Sequence, residues 1–144
     1  MKDAKRLGRL IVVRERLLAV RQGELAESAA ALTQAEAEAA RVAAHLDATV
    51  EALRGVGEVL PDELALRATM VRAAVESQRR AEQAVVERAA EREASAVRAV
   101  EAKRDVRVLE ELERRVVTVA RRAEARQEQS ITDETAATRS RRQS

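Results

Sequence analysis

Ala4, Ile11, Leu18, Leu25, Leu32, Ala39, Leu46 and Leu53 stand seven residues apart, and no proline interrupts residues 3–54. An apolar or small residue at that interval lines one stripe of a helix. The pattern therefore predicts a long helix over residues 3–54 with a seam made for another helix. The second row of the seam, Leu7, Arg14, Arg21, Ser28, Ala35, Val42 and Thr49, is polar in its first half. Two-sided packing is expected to be tightest toward residue 54. Gly8 and Gly23 fall inside this helix, each costing about 1 kcal/mol relative to alanine, and are expected to fray or bend its first third.

Residues 55–61, GVGEVLP, hold two of the four glycines and the only proline. Gly55 and Gly57 open the backbone to positive φ, and Pro61 cannot continue a helix from within, so a turn is predicted over 55–61. Pro61, Asp62 and Glu63 suit the first turn of a new helix, where a missing N–H costs nothing and acids meet the positive end of the dipole. Leu60, Leu64, Arg67, Val71, Ala74, Gln78, Ala81 and Val85 begin a second seam at 3-4 spacing. It continues through Arg88, Arg92, Ser95, Ala99, Ala102, Val106, Leu109, Glu113, Val116, Ala120 and Ala123. This predicts a helix from 62 to about 135, with a fraying tail from Ser130 onward.

Two long helices joined by a short turn pack together only by running antiparallel. The expected fold is all-α, a single long antiparallel two-helix coiled-coil hairpin with the second helix overhanging the first. Counting back from the turn sets Asp3 near Glu113. Val116, Val117, Val119, Ala120 and Ala123 would then extend past the first helix, amid Arg114, Arg115, Arg121, Arg122 and Arg126. An exposed apolar and basic extension of this kind usually has a partner.

Composition agrees with this class. Hydrophobic residues make up 46% of the chain, yet none is aromatic, and 36% are charged, which argues for long helices over a globular core. Without cysteine there is neither a disulfide nor a thiolate metal site. The basic start resembles that of a signal peptide, but its apolar run covers only residues 10–13 before Arg14 ends it. A cytoplasmic location is expected. The net charge of +2 is unevenly spread: residues 1–21 carry seven Lys/Arg and two acids, residues 114–144 eight and four, and residues 22–113 twelve and nineteen. The hairpin is thus expected to be positive at its termini and negative toward its turn.

Candidate chemistry is sparse. The one histidine, His45, reads as a helix-surface residue, and carboxylates spread along regular helices form no cleft, so no catalytic, cofactor-binding or metal-binding residue is expected. Arg139, Arg141 and Arg142 would suit a phosphate backbone, but Glu124, Glu128, Asp133 and Glu134 interrupt the basic run and no aromatic can stack on a base. Off the seam, Leu66, Met70 and Ala73 form a second apolar stripe just after the turn, readable as broad hairpin packing, a self-association face or a docking site.

Three stretches resemble the FliJ family of flagellar export stalk proteins and their type III secretion counterparts: residues 6–19 (RLGRLIVVRERLLA), residues 109–115 (LEELERR), and residues 124–129 (EARQEQ) followed by Asp133, Glu134 and Ala136. The resemblance implies a non-enzymatic coupling protein. Its terminal end would enter a hexameric export ATPase, and another surface would contact the membrane export gate and export chaperones. On this resemblance Arg14, Arg16, Arg114, Arg115, Arg121 and Arg122 are expected to face the ATPase, and Leu66, Met70 and Ala73 the gate. The location implied is cytoplasmic, peripheral to the inner-membrane export apparatus. The alternatives are a generic coiled-coil scaffold and a basic-tail nucleic-acid binder.

Overall fold

A computed structural model describes residues 2–54 and 57–144. It holds two helices, α1 (Lys2–Arg54) and α2 (Pro61–Gln143), which pack against each other as an all-α helical hairpin. Contacts divide it into a terminal unit, Met1–Ala19 with Val100–Ser144, and a turn unit, Val20–Ala99.

In the turn unit, α1 stops at Arg54 and α2 starts at Pro61, one residue earlier than the predicted 62. The Leu64 amide donates to the Leu60 carbonyl at 3.0 Å, which makes Leu60 the residue before the first helical turn and Pro61 the first position in it. Leu60 and Leu64 consequently lie outside the seam expected of them, 67% and 62% exposed. The guanidinium of Arg67 donates to the Leu53 carbonyl at 3.4 Å, so a polar seam residue of α2 satisfies the open end of α1. No described glycine has positive φ, so Gly57 does not use the freedom expected of it; Gly55 lies outside the described residues.

Leu25, Leu32, Ala39, Leu46 and Leu53 of α1 are all half-buried, as are Val71, Gln78, Ala81 and Val85 of α2. Ala74, Ser95 and Ala99 are buried. Arg88 and Arg92 occupy seam positions by spacing but are exposed, because a guanidinium without a buried partner stays in water. Buried Ser95 instead accepts a hydrogen bond from the Arg98 guanidinium at 3.4 Å.

In the terminal unit, Ile11 of α1 and Ala102 and Val106 of α2 are buried, and Ala4, Leu7, Leu18, Leu109 and Glu113 are half-buried. Packing is therefore not tightest beside the turn: of the six buried residues among those described, only Ala74 lies near it. Ser95, Ala99 and Ala102 are small enough for the helix backbones to come close and shut out water, whereas Leu60 and Leu64 at the start of α2 are exposed. α1 runs unbroken through Gly8 and Gly23. A Cβ built on Gly8 would sit 3.6 Å from the Glu113 carboxylate, so Glu113 lies across from Gly8 and not from Asp3. Five residues separate the two registers, about 7 Å along the axis.

This register covers part of the supposed overhang. Val116, Val117 and Ala120 are half-buried, while Val119 and every residue from 121 to 144 are exposed, Ala123 among them. The helix continues to Gln143 where fraying was expected from Ser130. Residues 130–143 contain neither glycine nor proline. Gln129 donates to Asp133 at 3.2 Å, an i to i+4 pair that supports the helix, while Thr132, Thr135 and Thr138 turn their hydroxyls back to carbonyls four residues earlier without interrupting it.

Candidate functional site

All six arginines singled out in the sequence belong to the terminal unit. This unit carries 17 Lys/Arg against 11 Asp/Glu, and the turn unit 10 against 14. Arg14 pairs with Asp105 across the two helices at 3.8 Å, with both side chains about half exposed. Arg114 and Arg115 share one carboxylate, Glu111, at 3.3 and 3.1 Å, while remaining 75% and 74% exposed. Ion pairs this exposed are worth little and leave the guanidiniums available to a partner. The described ion pairs do not include Arg16, Arg121 or Arg122, all exposed. Seven residues separate Arg114 from Arg121 and Arg115 from Arg122, which aligns both pairs along one strip of α2.

The reading of the sequence missed the Glu111 contacts, although their spacing signals them: an acid three and four residues before two arginines meets them on a helix. The Arg14–Asp105 pair depends on the register between helices and was not readable. What results is an exposed basic strip on α2.

Leu66, Met70 and Ala73 lie in the turn unit, apart in sequence from this basic cluster, and all three are exposed. Met70 and Ala73 line a shallow hollow with His45, Thr49, Ala74 and Ser77; Leu66 does not reach it. Sequence reading missed the α1 contribution of His45 and Thr49, whose only signal is that Thr49 is a seam position four residues after His45. A neighbouring hollow is lined by Arg41, Val42, His45 and Ser77. There a hydrogen bond from Arg41 to Glu38 raises the guanidinium pKa.

Among the described residues no group of three or more His, Cys, Asp or Glu is placed to hold a metal ion, and no helix is long and apolar enough to cross a membrane. In comparisons with known proteins, no family model, curated protein or solved structure matches this chain.

Proposed function

We propose that this chain is a non-enzymatic stalk or coupling protein of a flagellar or related type III export apparatus, acting on a hexameric export ATPase. The observation that carries the reading is the exposed end of α2. Residues 121–143 stay helical without a covering partner and open with Arg121 and Arg122, beside the basic start of α1 in the same unit. A bare, basic helix end suits insertion into an acidic ring lumen, where charge sets orientation and encounter rate more than raw affinity. Arg14, Arg16, Arg114 and Arg115 would widen that contact. By favouring one arrangement of the ring subunits the inserted end would promote assembly or turnover. Leu66, Met70 and Ala73 would be left for the export gate, and exposed helix surface for export chaperones. The protein would work in the cytoplasm, held at the inner membrane through these partners.

The test is turnover and ring assembly of an export ATPase titrated with the full chain, with an Arg121→Glu/Arg122→Glu double variant, and with a chain ending at Ala120. Stimulation by the full chain alone supports the reading and locates the contact. Absence of stimulation of an active, ring-competent ATPase by the full chain overturns it and leaves a coiled-coil scaffold.

A further inference from the structure

The start of α1 carries a face that the export reading leaves largely unused. At about 100° per residue, Lys2, Lys5, Arg6, Arg9, Val13 and Arg16 fall within about 60° of the line opposite Ile11. Ile11 is buried and these six are exposed. The two carboxylates of this segment, Asp3 and Glu15, fall outside that sector. Lys2, Lys5, Arg6 and Arg9 crowd closely enough to line one shallow hollow together with Asp3, four cations against one carboxylate. The described ion pair of this segment uses Arg14, nearer the side facing α2, and so leaves these five cations uncommitted.

Apolar side chains share the face. Val13 is 59% exposed among the cations, and Leu10 and Val12, 45% and 46% exposed, border it. Cations alone would suit any polyanion. A nucleic-acid backbone, however, offers these aliphatic side chains nothing to bury against, and the chain has no aromatic to stack on a base. An anionic bilayer rewards both components: its headgroups attract the Lys/Arg, and the boundary with the acyl chains accepts the aliphatic tips while the long basic side chains reach back to the phosphates. We infer that the exposed face of residues 2–16 is a docking surface for anionic lipid membranes, with this segment of α1 lying flat on the surface. This inference does not depend on the ATPase contact.

The experiment is co-sedimentation of the full chain with phosphatidylcholine vesicles, with and without phosphatidylserine, over a range of salt. Partition is expected only onto the phosphatidylserine vesicles and weakens steeply as salt rises. Each cation removed from the face should weaken it about fivefold. Arg6→Glu/Arg9→Glu should lower it at least about tenfold, whereas Arg141→Glu/Arg142→Glu, the same charge change outside the face, should alter it less than about twofold. Val13→Ser, which changes no charge, should weaken it about threefold through lost apolar contact. No partition of the parent chain onto phosphatidylserine vesicles overturns the inference. So does an equal loss in the Arg141/Arg142 variant. Equal retention on double-stranded DNA with Val13→Ser silent would also overturn it, in favour of a general polyanion site. If Arg6→Glu/Arg9→Glu lost helicity by circular dichroism, Val13→Ser and the Arg141/Arg142 variant would still decide the question.

Discussion

Gly23 sits in an unbroken helix with open space where a Cβ would go, and Gly8 would place one at ordinary contact distance from Glu113. Neither position needs the freedom that glycine confers, and both carry its entropic cost. Gly23→Ala should therefore stabilise the protein by about 0.5–1 kcal/mol, and Gly8→Ala should act in the same direction, each read as a raised midpoint in thermal melts followed by circular dichroism. Ile11 is the opposite case. It is the buried residue of α1 and the largest of the six that are buried, so Ile11→Ala should cost about 2–3 kcal/mol. Asp105→Ala, which breaks a half-exposed ion pair, should cost less than about 1 kcal/mol in the same assay.

Between elements, the contact rests on small residues. Ser95, Ala99 and Ala102 let the backbones approach, so an added side chain has no room to spread. Ala102→Leu should destabilise by about 1–3 kcal/mol despite adding apolar surface, checked by urea denaturation. The α1 seam was legible almost completely: each residue at its seven-residue interval is buried or half-buried, because that interval keeps one stripe facing the partner. The α2 seam failed at Leu60, Leu64, Arg88, Arg92 and Ala123 for three reasons. The first two lie where the helix begins, the arginines resist burial, and Ala123 lies beyond the covered part. Register was not legible, since the seven-residue spacing fits several alignments of the two seams, and Glu113 lies across from Gly8 where counting set it near Asp3. The six candidate arginines rest on the family resemblance, and from charge distribution only their place in the basic terminal segments could be read. Which of them are tied to carboxylates across the helices could not.

For the molecule as a whole, the exposed end of α2 separates stability from partner contact. A chain ending at Ala120 should lose helical signal in proportion to the residues removed while its thermal midpoint moves little, because residues 121–143 are covered by nothing. The scarcity of deep burial has a wider result. The chain leaves 11600 Å² accessible, against about 7300 Å² for a compact protein of 15.8 kDa, and no described side chain is fully buried. Heat capacity of unfolding follows the apolar area newly hydrated, so it should fall below the usual ~12–15 cal/mol/K per residue in scanning calorimetry. The enthalpy of unfolding would then change slowly with temperature. Stability would trace a shallow dome, varying less between cold and warm conditions than that of a close-packed protein with the same maximum.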